Sequence, residues 1–349
     1  MSERLRVVVA TPLREELAEW IRAAEPRIEL IYETSLLAPM RYAADHSGDP
    51  SFHRTAQQQQ AFEELLDSAE ALYGVPDSSA QALRRTADAN PGLRWVHTMA
   101  AGGGGQVKAA ELSQEQLDRI LFTTSAGVHA KPLAEFALFG LLAGAKNLDR
   151  LQSHQLDRRW TDRWMMGQLA QQTILVVGLG GIGRRVAEVL DALGATVVGT
   201  SRHATSVPHV SRVIHPDQLA EVAGEVDGVV ATLPGTEATN GLLGKEFFGS
   251  LRLGATVVNV GRGTVIDEDA LVTALSSGVV GFAALDVFAH EPLPPDSPLW
   301  GMPNVLVSPH TSALSATEDK LIAEVFADNA SRLLDGRDLV NRVNTVEFY

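Results

Sequence analysis

A chain of 349 residues with 45% hydrophobic and 21% charged content is long enough for two domains, each with its own buried core. A formal net charge of −14 argues against broad binding to nucleic acid or to an anionic membrane, and the absence of cysteine removes disulfides, thiolate metal sites and cysteine nucleophiles together. The longest uninterrupted apolar stretch, Phe136–Ala145, falls well short of the roughly 20 residues that span a bilayer, and the charged N-terminus lacks the pattern of a secretory signal, so a cytoplasmic location is the default expectation.

The first third alternates strand-like and helical runs: Arg6–Ala10, then a helical Leu13–Ala24, then Ile28–Glu33, and later Ala71–Val75 and Leu93–Thr98. That alternation predicts a parallel α/β sheet. Between Ser35 and Gln60 the pattern fails and ends in the polar run Gln57–Gln60, which reads as an irregular insertion leading into a helix. From Lys131 to about Trp160 one long helical pattern runs without a clear break, with Leu133, Phe136, Ala137, Gly140, Leu141 and Leu148 on its apolar face, and bridges into a second domain. Six strand-like runs follow, at Thr173–Val177, Ala195–Thr200, Asp227–Leu233, Thr256–Val260, Val280–Val287 and Val305–Ser308. The closing helix, about Ala316 to Leu334, is expected to return to the first domain. The expected architecture is α/β, with two Rossmann-like or flavodoxin-like parallel-sheet domains and an active-site cleft between them. Residues 1–127 plus 316–349 would form the substrate domain and 128–315 the dinucleotide-binding domain.

The run Thr173–Val177 leads directly into Gly178-Leu179-Gly180-Gly181-Ile182-Gly183 and then into a helical pattern. Strand, GxGxxG and helix in that order suit a dinucleotide pyrophosphate: the glycines allow a tight turn and close backbone approach, and the helix N-terminus offers free N–H donors. In open α/β sheets, ligands bind beyond the carboxyl ends of the strands. There the chain places Arg262 after one strand, Asp286 after the next and His310 after the last, with Glu291 a few residues beyond Asp286. Interconverting a 2-hydroxy acid and a 2-keto acid needs an acid/base, a cation for the carboxylate and keto oxygen, and a nicotinamide ring. His310, Arg262 and the glycine motif can meet those needs, and Glu291 beside the histidine would favour its protonated form.

These residues resemble the D-2-hydroxyacid dehydrogenase family over essentially the whole chain, most specifically in VVGLGGIGRRVA, NVGRGTVIDEDAL, GFAALDVFAHEPLPPDSPLW and PNVLVSPHTS. The resemblance implies a catalytic Arg262, Glu291 and His310. It also implies that Asp286 contacts the nicotinamide carboxamide, that Leu233, Pro234 and Thr239 line the adenosine side, and that Val260 and Gly261 adjoin the cofactor. The main chain of Ala101, Gly102 and Gly103, together with Arg262, would hold the substrate carboxylate, and a homodimer formed through the nucleotide domain is expected. The same family resembles transcriptional corepressors that use nucleotide to control assembly, so a nucleotide-sensing binding protein stands as the alternative; formate and phosphonate dehydrogenases are also of this broad family.

An NAD-preferring unit places an acidic residue about 20 positions beyond the glycines to accept from the ribose 2′-OH. Here Ser201 occupies that strand end and Arg202 follows, a pair suited to hydrogen-bond and ion-pair a 2′-phosphate. NADP(H) is the expected cofactor, with NAD(H) possible. The histidines at 203, 209 and 215 match no zinc spacing and no metal is expected, and Trp160, Trp164 and Trp300 are assigned to core or subunit contacts, with reach of one of them to the substrate as the alternative.

Overall fold

The computed structural model describes residues 4–102, 104–346 and 348. The chain divides into two compact units: residues 1–129 with 314–349, and residues 130–313.

The first unit runs β1 (Leu5–Val9), α1 (Glu15–Ala24), β2 (Ile28–Ile31), α2 (Ala56–Asp67), β3 (Ala71–Tyr73), α3 (Ala80–Ala89), β4 (Trp95–Thr98), α4 (Gly104–Ala109), α5 (Gln114–Arg119) and β5 (Leu121–Thr124). The second comprises α6 (Ala130–Ala145), α7 (Leu148–Leu156), β6 (Thr173–Val177), α8 (Gly181–Ala192), β7 (Thr196–Thr200), β8 (Arg212–Ile214), α9 (Leu219–Ala223), β9 (Gly228–Ala231), α10 (Lys245–Ser250), β10 (Ala255–Asn259), α11 (Glu268–Ser277), β11 (Val280–Leu285) and β12 (Val305–Val307); α12 (Glu318–Leu334) then returns to the first.

Among the described residues, the first unit's sheet has five strands in the order β2-β1-β3-β4-β5, every neighbouring pair parallel. Its inner strands are largely buried on both faces because helices cover both, and they are apolar apart from Arg6 of β1 and the buried His97 and Thr98 of β4. Phe326 of α12 stacks on Trp95 at 4.7 Å between centroids and meets Tyr73 edge-on at 5.0 Å, which fixes the returning helix against the sheet. The chain's tail seals the outer edge: Thr124 N–H donates to Asn341 O at 3.0 Å and Val343 N–H to Phe122 O at 2.8 Å. Between the turn Thr34–Leu36 and α2 the insertion contains no regular element, as its sequence suggests. The polar glutamine run belongs to the first turns of α2, where Gln58 closes a capping box with Thr55 and Gln59 and Gln60 bond Glu63 and Glu64 one turn on.

The second unit's sheet has seven strands in the order β12-β11-β10-β9-β6-β7-β8, all parallel. Alternate residues of β6 feed two cores: Leu175 and Val177 on the α9–α11 side, Ile174 and Val176 on the α6–α8 side. The order reverses direction between β6 and β9, and the glycine loop leaves β6 at that switch point.

Two expectations need correction. The helix expected from Lys131 to about Trp160 is two helices, α6 and α7, broken at Asn147, whose left-handed φ of 52° ends the first. β5 and β8 go unread because β8 holds a single buried residue and β5 takes part of its pairing from the distant tail, so the second sheet has seven strands instead of six. Of the tryptophans assigned to core or subunit contacts, Trp160 and Trp300 are exposed in this chain and lie outside its core, while Trp164 is half-buried and donates Nε1–H to Asn147 Oδ1 at 3.1 Å.

Candidate functional site

The glycine loop is built for a close-fitting ligand. Gly178 takes φ 102°, and a Cβ on Gly183 would fall 1.9 Å from Gly178 O, so the helix can start this tightly against the strand only with glycine at both places. A Cβ on Gly180, the N-cap of α8, would meet nothing within 4 Å, which leaves open space above the loop. Gly181, Ile182 and Gly183 form the first turn of α8, whose N–H groups have no intrahelical acceptor. Open space, unsatisfied donors and a helix N-terminus fit a pyrophosphate. Arg184, a residue whose role shows only in the structure although it directly follows the last glycine, folds its guanidinium back so that Nε donates to Leu179 O at 3.0 Å.

Ser201 and Arg202 follow β7 on one side of this loop. Ser201 Oγ accepts from the N–H groups of Ala204 at 2.9 Å and His203 at 3.3 Å, which leaves its hydroxyl proton as a donor at the strand end. Leu233 and Pro234 follow β9, and Leu233 packs over Gly178. Thr239 Oγ1 donates to Pro234 O at 2.7 Å and closes that turn.

On the other side, the ends of β10, β11 and β12 converge. Gly261 N–H donates to Asn259 Oδ1 at 3.0 Å, and Asn259 Nδ2 donates to Arg262 O at 3.1 Å, so the buried Asn259 side chain sets the turn that carries Val260, Gly261 and Arg262. Arg262 Nη1 donates to Gly261 O at 2.8 Å. A Cβ on Gly263 would sit 1.8 Å from Phe288 C and 2.4 Å from Ala289 N, which means that the arginine turn and the 288–291 turn lie backbone against backbone. Glu291 Oε1 accepts from Phe288 N–H at 3.0 Å, while its Oε2 lies 2.7 Å from His310 Nδ1. With Nδ1 so engaged, Nε2 is the ring nitrogen left for a ligand. Gly235, Arg262, Gly263, Thr264, Phe288, Ala289, Glu291 and His310 line one cavity of about 440 Å³, a size suited to small molecules.

Asp286, expected at the nicotinamide, is buried with its carboxylate occupied from within the protein. Oδ1 accepts from Ser308 Oγ at 2.6 Å and from the N–H groups of Thr311 and Ser312 at 3.0 and 3.1 Å, and Oδ2 accepts from Ser312 Oγ at 2.5 Å. Its main-chain O accepts from His310 N–H at 2.9 Å. Asp286 therefore clamps the loop on both sides of His310, which sits in left-handed conformation at φ 54°. The serines at 308 and 312 were not singled out from sequence, although the run SPHTS carries them.

Ala101 and Gly102 lie in the turn after β4 in the first unit, and Gly103 lies outside the described residues. His203, His209 and His215 are exposed and spread along the segment beyond β7; His209 pairs with Asp191 at 2.8 Å and His215 accepts from Asp217 N–H at 3.4 Å. Among the described residues, no helix is long and apolar enough to cross a membrane.

A glycine loop at the switch point of a 3-2-1-4-5-6-type sheet defines a Rossmann dinucleotide unit, with the charged cluster on its β10–β12 side. Residues 138–312, half of the chain, match the family model described as D-isomer specific 2-hydroxyacid dehydrogenase, NAD binding domain. A glyoxylate/hydroxypyruvate reductase B from Yersinia enterocolitica is 31% identical over 284 residues, covering 80% of this chain and 85% of its own. A glyoxylate reductase from Aeropyrum pernix is 31% identical over 233 residues, covering 64% and 70%. Among solved structures, a D-isomer specific 2-hydroxyacid dehydrogenase from Xanthobacter autotrophicus Py2 in complex with NADPH and MES is similar at TM-score 0.77 and 27% identity, covering 100% of both chains. The chain belongs to the D-isomer specific 2-hydroxyacid dehydrogenases, NAD(P)-dependent oxidoreductases.

Proposed function

We propose that this protein reduces small 2-keto acids of the glyoxylate or hydroxypyruvate kind to D-2-hydroxy acids, with NADPH as the preferred reductant. The observation that carries the reading is the 2.7 Å pairing of His310 Nδ1 with Glu291 Oε2 on a cavity also lined by Arg262. In this reading residues 128–315 bind the dinucleotide, and residues 1–127 with 316–349 form the substrate domain. When bound, the reduced nicotinamide supplies the hydride that the keto carbon accepts. Arg262 binds the substrate carboxylate and polarises the keto oxygen, and His310 delivers a proton from Nε2 to that oxygen. Glu291 orients the ring and stabilises the imidazolium; in the oxidative direction the same histidine takes the hydroxyl proton back.

The α8 N-terminus would hold the pyrophosphate, with the nicotinamide half directed toward β10–β12 and the adenosine half toward β7. Ser201 and Arg202 would then meet a ribose 2′-phosphate that an aspartate would repel. The NADPH complex of the Xanthobacter relative supports that choice. Phe139, Leu151, Leu156, Trp160, Met165 and Met166 expose apolar surface along α6, α7 and the segment after them, and a second copy of the chain covering that face would form a homodimer.

The test is steady-state turnover of the full chain on a panel of 2-keto acids with each reduced cofactor. Reduction of glyoxylate or hydroxypyruvate with higher kcat/KM for NADPH is the expected result. Tight cofactor binding with no turnover on any member would replace the reductase with a nucleotide-sensing protein.

A further inference from the structure

We propose that Glu268 is a positioning residue for the Glu291–His310 pair, acting through the peptide N–H of Ala289; the inference rests on the reductase reading above. The turn that carries Glu291 is tied to the fold by the buried side chains of Val287 and Phe288 and not by main-chain pairing. Among the described residues, no main-chain hydrogen bond reaches Val287–Pro292 from elsewhere in the protein. Two consecutive N–H groups of this turn point at carboxylates instead. Phe288 N–H donates to Glu291 Oε1 at 3.0 Å, a bond internal to the turn, and Ala289 N–H donates to Glu268 Oε1 at 2.6 Å.

Glu268 is itself rigidly held. It is the first residue of α11, behind the N-cap Asp267, whose Oδ1 accepts from Ala270 N–H at 3.1 Å and whose own N–H donates to Leu243 O at 3.1 Å. The Glu268–Ala289 bond thus fastens a turn without main-chain anchors to a helix end. The close approach of Gly263 to Phe288 limits how near the turn can come, and Glu268 limits how far it can swing away. Between these two restraints the Glu291 carboxylate is presented to His310 Nδ1. A charge-assisted hydrogen bond to a half-buried N–H is strong enough for this purpose, and small displacements of a reacting group carry large rate penalties.

The experiment compares Glu268→Ala and Glu268→Gln in the full chain. Glu268→Ala is expected to lower kcat about tenfold while KM for the keto acid, reduced-cofactor affinity by fluorescence and the thermal midpoint stay near wild type. Glu268→Gln, which keeps an oxygen acceptor, is expected to restore kcat to within about threefold of wild type. Wild-type kcat in Glu268→Ala, equal impairment of both variants, or parallel loss of cofactor affinity and stability would overturn the proposal. A crystal structure of Glu268→Ala supplies an arm independent of turnover: separation of His310 Nδ1 from Glu291 Oε2 beyond hydrogen-bond distance supports the role, and retention of the 2.7 Å pairing refutes it. If the wild-type chain reduces no keto acid, the functional reading fails while this crystallographic arm still decides the positioning role.

Discussion

Replacing Gly263 by alanine tests whether backbone contact between two turns sets the geometry of the site. The added methyl would lie 1.8 Å from Phe288 C, 2.0 Å from Phe288 O and 2.4 Å from Ala289 N, all main-chain atoms that cannot rotate aside. Restoring an ordinary 3.5–4.0 Å contact requires the turns to part by roughly 1.5–2 Å. That displacement lies between Arg262 on one turn and Glu291, with its partner His310, on the other. A misplacement of about 1 Å costs on the order of 100-fold in rate, so kcat/KM for the keto acid should fall at least that far. The strain should also lower stability by about 1–3 kcal/mol. Cofactor affinity should hold because the α8 N-terminus is untouched. The assays are steady-state reduction, titration of reduced-cofactor fluorescence and urea unfolding. A folded Gly263→Ala protein with kcat/KM within threefold of wild type would refute the argument.

Other substitutions probe separate parts of the account. His310→Asn keeps a residue that tolerates the left-handed backbone at φ 54° and removes the proton donor, so kcat should drop by about 10²–10⁴ with cofactor affinity retained in the same fluorescence titration. Ser201→Asp should move the ratio of kcat/KM values from NADPH toward NADH, and an unchanged ratio would show that the β7 end does not select the cofactor. In the first unit, burial pushes the Glu318 carboxyl up, but the hydrogen bond with His129, at 3.0 Å, and the His46 imidazole 3.5 Å away outweigh it and bring the group down to about 2. A folded value below the usual 4.5 means stability present above about pH 4.5 and lost as pH falls toward 2. Between pH 5 and pH 2.5 wild type should lose on the order of 2 kcal/mol more than Glu318→Gln, read as the difference between their shifts in urea midpoint, and equal shifts in the two proteins would refute the assignment.

The two parallel sheets were legible because buried strands write continuous apolar runs such as Ile174–Val177, and helices between them carry their own period. Two edge strands were not: Arg212–Ile214 has one buried residue, and Leu121–Thr124 takes part of its pairing from a tail more than two hundred residues away. The break at Asn147 was hidden because the apolar spacing continues through it, and only a left-handed backbone separates α6 from α7. At the site, the ends of β10, β11 and β12 could be read from strand order, and the structure brings Arg262, Glu291 and His310 to one cavity. What the sequence concealed is the support around them. Asn259, Glu268, Ser308 and Ser312 act through hydrogen bonds to main chain and to Asp286, and no spacing rule announces such contacts. Asp286 is the instructive case: the family resemblance implies a cofactor contact for it, and the structure adds four donors from the His310 loop on its carboxylate that no spacing announces.

In the proposed reaction His310 delivers a proton and Arg262 binds the carboxylate during reduction on one face of a keto carbon. The most direct measurement is the chirality of glycerate formed from hydroxypyruvate and NADPH, resolved by chiral chromatography, in wild type beside His310→Asn. The account predicts D-glycerate from wild type and little product from the variant; L-glycerate, a racemate, or undiminished product from the variant would contradict it.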